Sequence, residues 1–241
     1  MAEKKRQAVV IGINDYSDPE IPKLSGAVND ATEMRQMLSD YGQFEIVPEH
    51  FLINADASYQ SIRKAISDLL WKSDSCDLSL LYFSGHGFRD GYGNGYIAAH
   101  DMFKSEPFVC GINMQELRKV VLNSTNKQCV LVILDCCYSG IPTKDEKALP
   151  DIAISFDPYF GDLGKEGGGE GKFIIASSGE DQKSREIESK SGNGKGKVIH
   201  GAFTYHLLNG LDGKAADEAG TITLDRLLKY VEEQLHKMGK G

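Results

Sequence analysis

At 241 residues, 41% hydrophobic and 26% charged, the chain has the composition of a globular protein able to bury a core without disulfides. Its 27 basic and 35 acidic residues leave a formal charge of −8 with no long basic block, which argues against a nucleic-acid partner and otherwise speaks only to solubility. Five cysteines without a CxxC spacing, and a start (MAEKKRQAVVIGIN) lacking a long apolar core, point to a reduced, cytoplasmic chain with neither signal peptide nor membrane span.

In chain order, AVVIGI (8–13) is a continuous β-branched apolar run of the kind that forms a buried parallel strand. NDATEMRQMLSDYG (29–42) sets Ala31, Met34, Met37, Leu38 and Tyr41 at helical spacing and stops at Gly42. SYQSIRKAISDLLWK (58–72) opens on a capping serine and aligns Ile62, Ala65, Ile66 and Leu69. LSLLYF (78–83) and VLVIL (130–134) are further strands, with the helix NMQELRKVVLN (113–123) between them. KFIIAS (172–177) is a fourth strand, followed by helices at HGAFTYHLLNGL (200–211) and TLDRLLKYVEEQLHKM (223–238).

Strands alternating with helices imply βαβ units, hence one α/β domain over 1–241, a three-layer α/β/α sandwich on a mainly parallel sheet. Two stretches break the pattern. Residues 141–171 and 180–197 are rich in Gly, Ser and charge and read as exposed, mobile, cleavable loops. Neither GNGKGK nor DGYGNGY has the spacing of a phosphate loop.

Ligands of open α/β sheets bind beyond the carboxyl ends of the strands, and two such ends carry reactive side chains. LLYFSGHG presents Ser84 and His86, and VILDCCYSG presents Asp135, Cys136 and Cys137. If extension persists, side chains two apart share a face, so Ser84 goes with His86, Asp135 with Cys137, and Cys136 packs on the opposite side beneath a helix. A thiol with an ordinary pKa near 8.5 is mostly protonated at neutral pH, and His86 could take the proton from Cys137 and return it to a leaving amine. The plainer alternatives are two inert core thiols, or a zinc pair for which no second pair of ligands stands at the right spacing.

These segments resemble the caspase-like cysteine peptidases of the caspase–hemoglobinase fold, and most closely the metacaspases and prokaryotic orthocaspases. The resemblance rests on AVVIGINDY, LSGAVNDATEM, LLYFSGHG, VILDCCYSG and HGAFTYHLLNGL in that order, and on a histidine 51 positions before the cysteine. The caspase pentapeptide QAC[RQG]G is absent, and DCCYSG is similar to the metacaspase pattern D-x-C-x-S-G, in which the third residue, here Cys137, is the nucleophile. The family division would give a large-subunit-like part (1–140), a linker (141–171) and a small-subunit-like part (172–241).

The resemblance implies a Cys137–His86 dyad forming a thioester acyl-enzyme, with the backbone N–H groups of Gly87 and Cys137 as oxyanion hole. It also implies cleavage of protein or peptide substrates after Arg or Lys, through an acidic pocket of Asp30 and Asp135 lined by Ser84. Two carboxylates facing one pocket attract a guanidinium and repel an aspartate. Taken without the family, Asp30 reads as a helix-capping residue and Asp135 as an ordinary turn residue. The family names no third group to orient His86. Many relatives bind calcium after the histidine strand, but FRDGYGNGYIAAHDMF offers only Asp90 and Asp101, so no cofactor is expected. Self-cleavage at Lys144, Lys147, Lys165, Lys183, Arg185, Lys190, Lys195 or Lys197 of the two loops, and a regulatory partner or further domain, are compatible with the family. The rival reading is a catalytically silent caspase-like scaffold.

Overall fold

The computed structural model describes residues 5–72, 77–124, 129–136, 154–155, 171–177, 186–190 and 197–238. Its elements are β1 (Arg6–Gly12), α1 (Ala27–Asp40), β2 (Phe51–Ile53), α2 (Tyr59–Ser67), β3 (Leu78–Ser84), β4 (Gly87–Arg89), β5 (Gly95–Ala98), α3 (Pro107–Cys110), β6 (Gly111–Asn113), α4 (Met114–Leu122), β7 (Cys129–Asp135), β8 (Ile154–Ser155), β9 (Gly171–Ser177), β10 (Glu186–Lys190), β11 (Lys197–Gly201), α5 (Ala202–Asn209) and α6 (Leu224–Met238). Five strands run parallel in the order β2-β1-β3-β7-β9, and β8 joins the β9 edge antiparallel. Helices flank this sheet on both faces, which is the expected α/β/α sandwich.

The four long strands are apolar through their central residues because each buries both faces there. On one side Val9, Ile11, Leu81, Phe83, Val132 and Leu134 pack with Ile62 and Ile66 of α2 and Leu117 and Val121 of α4. On the other Val10, Tyr82, Ile133 and Ile175 meet Met34 of α1, Phe203 and Leu207 of α5, and Val231 of α6. Each such burial stabilises the fold by about 1.5–3 kcal/mol. The helices on the first side are capped from the sequence: Ser58 accepts from the Ser61 N–H, and Asn113 from the Glu116 N–H.

Beyond β3 the chain leaves the main sheet and builds the small antiparallel sheet β4-β5-β6. Its strands, of three or four residues, are too short to display a period in the sequence. Three expectations need correction. Tyr41 is 75% exposed and lies outside the buried stripe of α1, because the helix ends at Asp40. The stretch 180–197 includes β10 and the start of β11, an antiparallel hairpin whose register pairs Glu186 with Gly201 and Ile187 with His200. Consequently α5 begins at Ala202 rather than at His200, whose backbone is committed to the hairpin. Of the stretch 141–171 only β8 and Gly171 are among the described residues.

Candidate active site

Gly12, Ser84, Asp135 and Ser177 stand in register across the carboxyl ends of β1, β3, β7 and β9. Side chains in register on parallel strands project to the same face, here the one covered by α1 and α5. Gly12 lets α1 come close, since a Cβ there would collide with the Ala27 carbonyl oxygen and the Ala31 side chain. That approach carries Asp30, in the first turn of α1, over the strand end, where Ser84 Oγ donates to Asp30 Oδ2 at 3.1 Å.

Asp30, Ser84 and Asp135 are thus brought into one buried cluster, and each carboxylate is engaged by internal donors. Asp30 accepts from His200 Nδ1 at 2.9 Å and from the Gly201 N–H at 3.0 Å. Asp135 accepts from Ser177 Oγ at 2.9 Å, and from Thr204 through both its hydroxyl (2.6 Å) and its N–H (3.2 Å). Gly201 lies between the two acids: a Cβ on it would stand 2.6 Å from Asp135 Oδ2 and 3.1 Å from Asp30 Oδ2.

Burial raises the pKa of both carboxyl groups. Asp30 is pushed up to about 7, by desolvation first and also by the charge of Asp135, with the His200 hydrogen bond pulling the other way. Asp135 is raised by desolvation, partly offset by Thr204 and Ser177. Burial alone would lower His200, but the hydrogen bond and charge of Asp30, with Glu33 behind, outweigh it and raise its pKa.

His86 follows the bend at Gly85, whose N–H donates to the Asp135 carbonyl and so ties the end of β3 to that of β7. Its backbone N–H donates to the Tyr16 hydroxyl at 2.8 Å, and its ring lies against Tyr16 and Phe88, 5.3 and 5.8 Å between centroids. The Nε2 atom is 2.7 Å from the Pro22 carbonyl oxygen. A carbonyl only accepts, so Nε2 carries the proton and the basic lone pair of the neutral ring is at Nδ1. The chain therefore does not stay extended past Ser84: Ser84 turns to Asp30, whereas His86 turns to Tyr16, Phe88 and Pro22. Gly87 opens β4 opposite Ile97, where the ladder bond runs from the Ala98 N–H to the His86 carbonyl.

Cys136 is fully buried in the core on the α2/α4 side, opposite to Asp135, as strand alternation requires. Cys137 lies outside the described residues. Asp90 and Asp101 are engaged separately. The Asp90 carboxylate closes its own turn, accepting from Tyr92, Asn94 and Tyr96, while Asp101 caps Tyr59. Among the described residues no three His, Cys, Asp or Glu side chains are grouped to hold a metal ion.

Sequence reasoning missed Tyr16, Pro22, His200 and Thr204. A backbone carbonyl such as that of Pro22 leaves no mark in a sequence. His200 and Thr204 stand within HGAFTYHLLNGL, so the segment was visible while the roles of its residues were not.

The family model described as Caspase domain matches residues 5–241. The chain belongs to that family, which is one of cysteine peptidases. Among curated proteins it is 36% identical over 89 residues to Metacaspase-7 and, over the same length, to Metacaspase-4, both of Arabidopsis thaliana. Each match covers 35% of this chain and only 22% and 21% of the relatives, so the chain spans about a fifth of their length. Among solved structures it is similar to protein GSU0716 from Geobacter sulfurreducens, with a TM-score of 0.59 and 17% identity over 94% of this chain and 88% of that one. It is also similar to Caspase-1 from Spodoptera frugiperda, with a TM-score of 0.58 and 14% identity over 96% and 76%. These two likenesses concern the fold.

Proposed function

We propose that the chain is a cysteine endopeptidase that cuts peptide bonds after Arg or Lys. The observation that carries this reading is the pairing of Ser84 with Asp135 at neighbouring strand ends, with His86, held by its Nε2 atom, two residues beyond Ser84 and Cys137 two residues beyond Asp135. In this mechanism His86 Nδ1 takes the proton of the Cys137 thiol, and the thiolate attacks the scissile carbonyl carbon. The N–H groups of Gly87 and Cys137 receive the oxyanion, a contribution on the order of 3 kcal/mol per donor. The tetrahedral intermediate collapses, His86 returns the proton to the leaving amine, and a thioester remains. Water, deprotonated by His86, then hydrolyses the thioester and frees the carboxylate product and the thiol. Asp30 and Asp135 supply the negative charge that favours a cationic side chain before the cut bond, with Ser84 fixing Asp30.

In this reading 1–140 and 172–241 are the two parts of one peptidase unit, joined by a linker at 141–171 with lysines at 144, 147 and 165 as self-cleavage sites. A reducing, cytoplasmic setting suits a reactive thiol and the free Cys110, Cys129 and Cys136. Among the described residues no helix is long and apolar enough to cross a membrane.

The test is a panel of matched fluorogenic peptides ending in Arg, Lys, Asp or Asn, run with the wild type and with Cys137→Ala and Cys136→Ala. Cleavage after Arg or Lys that is lost only in Cys137→Ala is expected. Folded wild-type protein that cuts none of them in any condition would instead favour a silent scaffold. Self-cleavage is read from the same samples as fragments present in wild type and missing in Cys137→Ala.

A further inference from the structure

The proposed reaction leaves unexplained why a histidine is buried against one of the two pocket acids. His200 is 2% exposed, at the end of β11, and Asp30 is 1% exposed. Its Nδ1 is 2.9 Å from Asp30 Oδ1, and its Nε2 is 3.5 Å from Glu33 Oε1, one turn further along α1. Both ring nitrogens thus face carboxylate oxygens, an arrangement in which the doubly protonated imidazolium donates to both.

The surroundings make that charge consequential. Asp135 of β7 is the second acid of the cluster, and Gly201 separates the two. Among the described residues, further titratable neighbours are Tyr82 of β3, whose hydroxyl is 2.6 Å from Thr204 Oγ1, and Tyr205 of α5, whose ring centre is 6.1 Å from that of His200. Across the hairpin β10 offers the neutral Ile187, while its Glu186 accepts from the Ser25 and Gly26 N–H groups and its Glu188 pairs with Lys197. Two buried acids close together cannot both ionise without a compensating cation. His200 is the buried cationic group that contacts Asp30.

We propose that His200 is a specificity-setting, positioning residue: as an imidazolium bridging Asp30 and Glu33 it favours the ionised form of Asp30 and orients it. Once Asp30 is ionised, the buried set of Asp30, Asp135 and His200 carries one net negative charge, matched to a substrate side chain with a single positive charge. Without His200, Asp30 keeps its proton to higher pH and the pocket loses half of its acidity in the neutral range. This inference rests on the basic-specificity reading given above.

The experiment is kcat and KM for an Arg-ended peptide between pH 5.5 and 8.5, in wild type, His200→Gln and Glu33→Gln. Gln keeps a hydrogen-bond donor but carries no charge. In His200→Gln the pH below which KM rises moves up by about one unit, so KM near that pH rises about tenfold. The loss falls in KM rather than in kcat. Glu33→Gln, at a half-exposed side chain, shifts the profile in the same direction by less and serves if His200→Gln does not fold. A second readout is the NMR titration of the His200 ring in Cys137→Ala, whose pKa falls when Asp30→Asn is added. KM profiles that superimpose on wild type in the folded variants, or a His200 titration unmoved by Asp30→Asn, overturn the role of His200 alone. A wild type that cuts peptides but shows no preference for Arg or Lys overturns the pocket reading beneath it, and this inference with it.

Discussion

The Nε2 atom of His86 lies 2.7 Å from the carbonyl oxygen of Pro22, a group 64 positions away in the sequence. The contact fixes the tautomer and the tilt of the ring, so the imidazole proposed as the base is oriented through a backbone carbonyl. Tyr16 completes the arrangement from below, taking the His86 N–H on its hydroxyl and resting its ring on the imidazole.

Tyr16→Phe removes that acceptor and leaves the buried His86 N–H unpaired, at a cost of about 1–3 kcal/mol in stability. Phe keeps the ring that packs on the imidazole, so only the tie to the His86 backbone is lost, and kcat should fall severalfold while KM stays near wild type. Thermal melts and steady-state kinetics of the one variant check both expectations. Wild-type kcat would mean that the hydroxyl contact does not position His86.

The proposed reaction separates the two adjacent cysteines. Cys137→Ala should lower kcat by a factor on the order of 1,000 or more, as loss of a nucleophile does. Cys136→Ala removes a fully buried sulfur and should cost about 1 kcal/mol in stability while retaining cleavage. Denaturant melts set beside the peptide assay separate the two effects.

Asp30 makes stability fall as pH rises. Its pKa is near 7 in the folded protein against an ordinary value of 3.8, so between about pH 4 and 7 the folded state holds a proton that the unfolded chain has released. The native state therefore loses stability across that window, and the contribution is constant above it. His200, also raised, adds a loss in the same direction above pH 6.5. Asp30→Asn should flatten the slope of stability against pH between 4 and 7, as measured by urea melts, and should abolish cleavage after Arg.

Gly201→Ala tests the spacing of the acids. The φ of Gly201 is −61°, open to any residue, so the substitution introduces no backbone strain, only a methyl group wedged between two carboxylates that are held by hydrogen bonds. Overpacking of this kind costs about 1–3 kcal/mol. KM for Arg peptides should rise more than kcat falls, and unchanged kinetics would place substrate recognition elsewhere.

Chelation should change nothing. With Asp90 consumed by its own turn and Asp101 by Tyr59, excess EDTA is expected to leave both melting temperature and peptide cleavage within error. A chelator-sensitive activity restored by calcium would sink that expectation.

The sequence by itself determined the sandwich. Continuous apolar strands such as Ala8–Ile13 and helices with one buried stripe, as at Ile62, Ala65, Ile66 and Leu69, are local patterns that only a two-sided sheet can bury. It also located His86 and the adjacent cysteines at strand ends, because the switch from apolar residues to turn glycines is written in the chain. It could not reveal the β10–β11 hairpin, whose residues Glu186–Lys190 are polar enough to pass for loop. Only the tertiary structure decided what His200, Pro22 and Tyr16 do. Their roles depend on contacts across 170, 64 and 70 positions, and hydrogen bonds of that span leave no periodicity to read. The acidic cluster has the same origin, for it exists only once Gly12 lets α1 settle on the sheet and Gly201 fits between Asp30 and Asp135.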